Sequence, residues 1–378
     1  MKFFNTTPYS AKRMKNISPQ PRRMMACVVA RVLHDVTGNG ELVPLEEPKW
    51  PIDATPGDTP LGPRSGDKPF YMGGVDILLG GRVYQPNRKV DGRLDIEIDV
   101  GRTFRRRIAI FGDRRWLRGK DGTLTASSPE VFGSMQLDFA LAYGGYAKTK
   151  RGQAAPYGPN PRGRGYYLDE LAAEGQLLPN LEDPNQLVSR WDDRPIPVGL
   201  GYYPEDGSLR PQASIDHPGL AGVLGQTGAK TNAAANVTSN VSLTVDNLTP
   251  MLFNQAHPNM VIPAEKSPKP GDVVRLSHGR KDGTDLLFVL PNRGFHLHVQ
   301  LENRERIVPL HLDQIGIIGG EARVLLSYRV VFEYRLVRNE RRVCSLYEGA
   351  MPEEIPSHYR RDLRDEWEDD LWGKELAS

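Results

Sequence analysis

Cysteine and long apolar runs are the scarcest features of this 378-residue sequence. Its two cysteines, Cys27 and Cys344, lie in opposite halves of the chain, so we interpret them as buried thiols in a reducing compartment rather than as a disulfide. No apolar run reaches the length of a membrane span, and the basic N-terminus lacks an apolar segment of signal-peptide length. We therefore expect a cytoplasmic protein without a membrane partner.

Motifs for covalent or phosphate chemistry are also missing. There is no Gly-x-Ser-x-Gly elbow, and Cys27 lies in a valine-rich segment where a thiol is more readily buried than activated. The segment with Gly158, Gly163 and Gly165 lacks the Lys-Ser/Thr pair that would hold a nucleotide and its magnesium ion. The sequence thus predicts no cofactor, and a protein that is not an enzyme.

Net charge gives no sign of a nucleic-acid partner. The formal charge is only +2, so bulk electrostatics do not favour a polyanion. The one basic run, Arg105 to Arg107, follows a strand pattern in which Asp95, Glu97 and Asp99 alternate with apolar residues. We expect the arginines to pair with these acids across a hairpin, and therefore predict no nucleic-acid binding.

High glycine and proline content, 38 and 31 residues, together with alternating apolar residues, predicts a mainly β fold. We expect two packed antiparallel sheets, arranged like a sandwich, with long irregular loops and a C-terminal helix. The predicted organisation is a flexible N-terminal arm over residues 1–24, a β domain over 25–340 with a polar insert near 202–250, and a C-terminal extension over 341–378. Ser357 is the expected helix cap, and Tyr359, Leu363, Trp367 and Leu371 form a stripe at helical spacing. We expect the stripe to dock on this chain's own sheet, with partner binding as the alternative.

The following strands are expected within the β domain: Ala26 to Leu33, Val75 to Tyr84, Leu94 to Val100, Thr103 to Phe111, Met135 to Tyr143, Val273 to Leu276, Leu286 to Leu290, Phe295 to Leu301, Ile307 to Leu310 and Ala322 to Val337.

The irregular stretch from Asn160 to Gly201 is the main candidate for function. It is rich in proline, glycine, carboxylates and aromatics, and ordering such a loop costs conformational entropy that a use in binding would offset. One alternative is a hydrolase or carbohydrate-active β-sandwich that uses the carboxylates of this loop. They are Asp169, Glu170, Glu182, Asp183, Asp192 and Asp193.

A metal site is the second alternative. His296 and His298 are two residues apart on a predicted strand and so share one face, and His311 with Asp313 repeats that spacing. If the two strands were neighbours, these side chains could surround a metal ion. Alternating histidines are also typical of a solvated strand face, so we predict no metal and keep His296, His298 and His311 as weak candidates.

Nine short motifs occur in an order that resembles one family, domain-of-unknown-function family 2169. They are KPFYMGGVD (68–76), IFGDRRW (110–116), FALAYGG (139–145), NPRGRG (160–165), LPNLEDP (178–184), PIPVG (195–199), MLFNQAHP (251–258), Leu290-Pro291 and LHLDQIGI (310–317). The resemblance covers about residues 25–335. The polar stretch Tyr202 to Asn247 departs from the family pattern, as do the glycine pair in the first motif and the segment after Ser357.

The resemblance implies an adaptor or chaperone of the type VI secretion system that stays in the cytoplasm. Such a protein binds a secreted effector, together with a PAAR-type tip protein in many cases, and helps to load it onto the spike trimer. The residues that the resemblance marks as family-signature or partner-binding positions are Asn160, Pro161, Gly163, Arg164, Gly165, Pro179, Asn180, Glu182, Pro184, Asp193, Pro195, Pro197 and Gly199.

Overall fold

We describe the fold from a computed structural model. It describes residues 1–378 except 18–22, 68–71, 87–90, 150, 205, 210–252, 336, 338–339, 362 and 364–378. The predicted polar insert therefore lies almost entirely outside the described residues. In the described part, no helix has the length and apolar character needed to cross a membrane.

Strands make up most of the regular structure, which confirms the prediction of a mainly β protein. In chain order they are β1 (Lys2–Asn5), β2 (Ser10–Ile17), β3 (Arg23–Val36), β4 (Leu42–Leu45), β5 (Gly57–Thr59), β6 (Gly62–Arg64), β7 (Gly74–Tyr84), β8 (Arg93–Val100), β9 (Phe104–Phe111), β10 (Trp116–Arg118), β11 (Leu124–Ala126), β12 (Ser134–Gln136), β13 (Tyr143–Gly144), β14 (Tyr146–Lys148), β15 (Ala154–Pro156), β16 (Arg164–Gly165), β17 (Leu181–Glu182), β18 (Val261–Pro263), β19 (Val273–Leu276), β20 (Leu286–Val289), β21 (Phe295–Leu301), β22 (Arg304–Pro309), β23 (His311–Gly319), β24 (Arg323–Arg335) and β25 (Arg342–Glu348). The single short α-helix, α1, spans Glu170–Ala173 in the described part of the chain.

The largest sheet is built on the long antiparallel pair of β3 and β24, which stays in register from Arg23↔Arg335 to Asp35↔Arg323. Its strand order is β12-β7-β23-β24-β3-β2, with β18 on β7 and β4 on β3. Most of β3 is buried along its length. A near-continuous apolar run of this kind is typical of a strand covered on both faces.

A second sheet, of order β17-β9-β8-β19-β20, contains the predicted charged hairpin. Glu97 lies opposite Arg107, and Asp99 lies opposite Arg105 with 2.6 Å between Oδ1 and Nε. Arg275 on β19 adds a second guanidinium to the same acids, 2.6 Å from Glu97 and 2.7 Å from Asp99. The predicted cross-strand pairing is therefore confirmed, since the acidic face of β8 holds the arginines.

The third sheet has the order β1-β25-β21-β22 and corrects two predictions about the ends of the chain. The predicted arm over residues 1–24 contains β1, which runs parallel to β25, and β2, which pairs along β3. The predicted extension begins with β25, an interior strand of this sheet. The short strand β1 and the polar edge strand β2 carry no strong apolar alternation, so the sequence pattern missed them.

Three sheets of four or more strands are present in the described residues, rather than the two that we expected. Two of the strand pairings within these three sheets, β1 with β25 and β7 with β23, are parallel. All three sheets contribute side chains to one buried apolar cluster, for example Val28, Ile96 and Leu297. How the sheets face one another in a sandwich remains a prediction.

Two local predictions differ from the structure. Met135 to Tyr143 is not one strand, because Phe139–Leu141 form a 3-10 turn that Asp138 caps through the peptide nitrogen of Ala140. The C-terminal helix is not shown: Ser357–Tyr359 form a single 3-10 turn, flanked by Pro356 and Arg360 in extended conformations, and residues 364–378 lie outside the described part. Tyr359 instead stacks on Tyr347, with ring centroids 3.7 Å apart.

Candidate functional site

The loop from Asn160 to Gly201 forms strand pairings at two points, one with the second sheet and one within a separate two-stranded sheet. Leu181 and Glu182 form β17, which pairs with β9 at Ile110 and Ala109. Arg164 and Gly165 form β16, which runs parallel to β13. Beneath the loop lies a small separate core that holds Trp116, Leu124, Tyr143, Ala173, Leu178 and Val188. We call residues 113–204 around this core the loop module.

The side chain of Asn160 is buried and stabilises the loop through hydrogen bonds instead of facing solvent. Its Nδ2 donates to the carbonyl oxygens of Phe139 at 2.8 Å and Tyr143 at 3.1 Å. Gly163 packs against it so closely that a Cβ there would lie 2.4 Å from Asn160 Nδ2. The backbone of Gly165, at φ +99°, lies in the left-handed region that favours glycine. The NPRGRG motif is therefore a folding motif, in which Asn160 closes the turn, Gly163 makes room for it and Gly165 supplies the left-handed backbone conformation.

Asn180 repeats this role on the other side of the loop. Its Nδ2 donates to the carbonyl oxygen of Phe111 at 2.9 Å and to Asp113 Oδ1 at 3.0 Å. Its main chain accepts from the peptide nitrogen of Phe111 and donates to the carbonyl oxygen of Leu141. A single buried asparagine thus joins the end of β9 to the 3-10 turn.

Glu182 forms a buried ion pair with Arg114. Arg114 Nη2 contacts Glu182 Oε1 and also donates to the carbonyl oxygen of Pro179 at 2.7 Å. The second carboxylate oxygen of Glu182 accepts from the peptide nitrogen of Val188 at 2.7 Å. Burial raises the pKa of Glu182, while Arg114 opposes this shift. Both oxygens of the carboxylate therefore hold the loop in place.

Asp193 organises the turn before the PIPVG motif. Its Oδ2 accepts from the peptide nitrogens of Ser189 and Arg190, both at 2.8 Å, and these bonds help to lower its pKa although burial opposes them. Its carbonyl oxygen accepts from the hydroxyl of Tyr143 at 2.6 Å. Burial raises the pKa of the Tyr143 hydroxyl, so this group stays a hydrogen-bond donor at neutral pH.

The remaining signature residues follow the same pattern. Pro161, Pro179, Pro197 and Gly199 are buried, whereas Arg164, Pro184 and Pro195 are half-buried. Arg164 lies 3.5 Å from Asp113, and burial lowers its pKa. The structure thus brings the predicted site residues into one module, mostly as its interior.

Large apolar side chains are exposed on the outside of the loop module. Of the thirteen exposed large apolar residues in the described chain, seven lie between residues 117 and 196: Leu117, Val131, Tyr146, Leu168, Leu171, Leu187 and Ile196. Leu171 on α1 is 80% exposed, the largest fraction among them. Single exposed apolar residues are ordinary, but their concentration on one module distinguishes it from the rest of the surface.

The loop carboxylates of the hydrolase alternative all have structural partners. Besides Glu182 and Asp193, Asp169 caps α1 through Ala172 N at 2.7 Å, and Glu170 pairs with Arg118 at 2.9 Å. Asp192 binds Arg190, and Asp183 accepts from Asn185. Each carboxylate therefore has a local role in the loop.

The two candidate histidine strands belong to different sheets. His296 and His298 lie on β21, where His296 Nε2 is 2.9 Å from the hydroxyl of Tyr359 and His298 Nε2 is 3.1 Å from Glu305. His311 lies on β23, opposite Arg329. In the part of the chain that the structure describes, no three histidine, cysteine or acidic side chains are grouped as metal ligands would be.

A buried polar network is the feature that sequence reasoning missed. Asp67 contacts Arg31 at 2.5 Å and Arg64 at 2.9 Å, and all three side chains are at most 2% exposed. Arg31 also reaches Gln314 at 3.4 Å. Burial disfavours the charge on Arg31, but Asp67 outweighs burial and the pKa of the guanidinium is raised.

Three of the family motifs meet in this network. Asp76, from the first motif, accepts from Asn254 Nδ2 and the peptide nitrogen of Gln255, both at 2.8 Å, and from Gln314 Nε2 at 3.2 Å. Asp313 binds Arg329 at 2.7 Å. The signal available in the sequence was polar residues inside apolar strands, namely Arg31 in β3 and Gln314 in β23. The motifs are thus joined by one set of buried hydrogen bonds.

Acidification is expected to destabilise the protein through His257, the histidine of the MLFNQAHP motif. Burial lowers its pKa to about 4, so the folded state keeps the imidazole neutral while the unfolded chain takes up a proton near pH 6.5. Keeping His257 neutral therefore adds its full contribution to the free energy of unfolding above pH 6.5. As the pH falls from 6 to 4.5, the free energy of unfolding should decrease by roughly 2 kcal/mol through this residue.

His257→Asn tests this expectation, because asparagine can still cap the turn through the peptide nitrogen of Asn259. Urea unfolding at several pH values should show a shallower acid loss for this variant than for the native chain. His358→Asn, at an exposed histidine, is the matched control. An unchanged acid slope in His257→Asn would contradict the assignment.

Comparison with known families gives one match. The model of the family described as "Uncharacterized protein conserved in bacteria (DUF2169)" matches residues 21–329, which is most of the chain. No match to a curated protein or to a solved structure was found. The match includes the residues of the loop module and the motifs of the buried network. The chain belongs to the DUF2169 family of bacterial proteins.

Proposed function

We propose that this protein is a non-enzymatic adaptor that binds a type VI secretion effector and helps to load it onto the spike trimer, with a PAAR-type tip protein as a second partner. It would act in the cytoplasm and remain there. The observation that carries the proposal is the loop module, which combines a hydrogen-bonded interior with an apolar exterior.

The interior of the module favours binding over chemistry. Asn160, Asn180 and Glu182 use their polar atoms to hold the loop against the sheet. A loop held in this way loses little conformational entropy when a partner binds, because most of its order is already present in the free protein. The carboxylates that a hydrolase would need are the ones that maintain this order.

The exterior of the module suits a protein partner. Leu168 and Leu171 lie on either side of the first residue of α1, and Leu117 lies on β10. Arg118, also on β10, forms ion pairs with Glu170 and Glu174, at the two ends of α1. Apolar side chains supported by a rigid base are typical anchors of protein interfaces, while ion pairs of this kind form a polar rim. The effector would cover these leucines.

Leu168→Asp combined with Leu171→Asp is expected to weaken partner binding by about tenfold to a hundredfold, because an interface anchor becomes a charge. The fold should be retained, since both residues are exposed and an acidic residue is favourable in the first turn of a helix. Co-purification and titration with the protein encoded beside this gene, and with its PAAR-type protein, would measure the effect.

Met351→Asp is the matched control, because Met351 is 54% exposed but lies outside the loop module. It should bind as the native chain does. A native chain that captures neither the effector nor the tip protein would overturn the adaptor proposal. Equal binding by the double variant and the control would instead remove the loop module as the contact surface.

A further inference from the structure

A basic groove of about 220 Å³ lies between the edge strand β22 and the adjoining ends of β24 and β3. Its floor is partly apolar, from Val299 and Leu301. Six charged residues line it: Arg23, Arg304, Arg306, Arg335, Glu305 and Glu333. Four arginines against two glutamates give the groove an excess of two positive charges.

Each of the two glutamates already pairs with an arginine. Glu333 pairs with Arg23 at 3.2 Å, and Glu305 pairs with Arg360 at 2.7 Å. Arg306 lies over the ring of Phe332 and, like Arg335, forms no ion pair with a carboxylate among the described residues. Arginines without a carboxylate partner are suited to bind a carboxylate from elsewhere, since the planar guanidinium can form two parallel hydrogen bonds with it.

The C-terminal segment approaches this groove. The peptide nitrogen of Arg361 donates to Gln300 Oε1 at 2.9 Å, and Gln300 Nε2 donates to the carbonyl oxygen of Arg361 at 2.9 Å. Gln300 is on β21, and β22 is the next strand and the edge of the sheet. The side chain of Gln300 points to the opposite face of β21 from Val299 and Leu301, so the chain after Arg361 has to pass round the edge strand β22 to reach the groove. Neighbouring strands are about 4.8 Å apart, so this path is short.

The sequence that follows is complementary to the groove. Residues 364–378, RDEWEDDLWGKELAS, contain six acidic and two basic side chains, and two tryptophans, Trp367 and Trp372. Fifteen residues can span up to about 50 Å when extended, which is far more than the crossing requires. We call this segment the acidic tail.

We propose that the acidic tail binds in the basic groove of its own chain. Its carboxylates pair with Arg304, Arg306 and Arg335, and a tryptophan covers Val299 and Leu301. Attachment at Arg361 makes the binding intramolecular, so the high effective concentration favours the tail over a separate acidic protein. The inference does not depend on the adaptor proposal, because it concerns contacts within one chain.

Hydrogen exchange of the full-length chain tests the proposal. The amides of the acidic tail should be protected, and Glu368→Arg with Asp369→Arg and Asp370→Arg should reduce that protection by about tenfold or more by replacing attraction with repulsion. Residues 368–370 follow the last described strand, β25, in the sequence, so the β fold should remain intact. Arg304→Glu with Arg306→Glu should have the same effect, whereas Arg102→Glu with Arg151→Glu, at exposed sites elsewhere, is the charge-matched control.

A cross-link identifies the occupant of the groove. With Arg304→Lys and Arg306→Lys, a zero-length carboxyl–amine reagent should join these positions to the tail within a monomer. Combining the tail reversal with Arg304→Glu and Arg306→Glu should restore tail protection. A link found only in dimers would assign the groove to a second copy and overturn the proposal. Unprotected tail amides in the native chain would overturn it as well.

Discussion

Asp67→Asn is expected to lower the free energy of unfolding by about 3–5 kcal/mol, because it removes the negative charge from the centre of a buried ionic network. Arg31 and Arg64 both bind Asp67, and their side chains are almost completely inaccessible to water. Without Asp67 these two guanidinium groups remain buried without their shared counter-ion. A buried charge that loses its partner costs far more than the pair itself contributes.

Urea unfolding of the native chain and the variant at neutral pH measures this loss. Asp95→Asn is the matched control, because Asp95 pairs with Arg93 at 3.0 Å on the surface, where both side chains are about half exposed. Asp95→Asn should lower the free energy of unfolding by at most about 1 kcal/mol. Similar losses for Asp67→Asn and Asp95→Asn would show that the network contributes no more than a surface ion pair.

Glu182→Ala is also expected to lower the free energy of unfolding by about 3–5 kcal/mol. The lost contacts lie in the loop module rather than in the central network. Arg114 is 7% exposed and would remain buried without its carboxylate, and the peptide nitrogen of Val188 would lose its acceptor. Because the contacts are local, the loop should become accessible to protease before the sheets unfold.

Limited proteolysis followed by mass spectrometry should place the new cleavage sites between residues 160 and 201. Glu174→Ala serves as the control, since Glu174 also pairs with an arginine, Arg118, but is 41% exposed. Glu174→Ala should lower the free energy of unfolding by at most about 1 kcal/mol. If Glu182→Ala kept the native stability but lost a catalytic activity, that result would favour the hydrolase alternative, in which the loop carboxylates are catalytic.

The central hairpin of β8 and β9 could be predicted because everything that determines it is local. Leu94, Ile96 and Ile98 alternate with acids along one strand, and the arginines that pair with them follow within a few residues. Only period-two alternation and the sign of the charges were needed. The long strands β3 and β24 were predictable for a similar reason, since long, mainly apolar segments mark them.

The strand β1 could not be predicted because it is short and its partner is distant. Lys2–Asn5 is too short to show a period, and its partner, β25, lies more than 300 residues later in the sequence. The polar network was hidden in the same way, since Asp76 and Gln314 are hydrogen-bonded but 238 positions apart. One sequence without an alignment carries no information about such pairings.

The residues predicted as a site lie together in the loop module, mostly in its interior, and their role in partner binding stays a prediction. Proline and glycine marked the Asn160 to Gly201 loop as unusual, and the family motifs are found there. Yet the residues that define the motifs, such as Asn160 and Asn180, point into the module and hold it together. The exposed leucines that we propose as contacts, including Leu171, lie between the motifs, where composition alone gives no reason to single them out.

The parallel pairing of β1 with β25 has a consequence for how the chain is made. A ribosome adds Arg342–Glu348, the strand that receives Lys2–Asn5, more than 300 residues after it has added Lys2–Asn5. While these intervening residues are being added, Lys2–Asn5 has no strand to join. The sheet that contains β1 and β25 can therefore close only after Arg342–Glu348 has been synthesised, which makes its completion a topologically slow event.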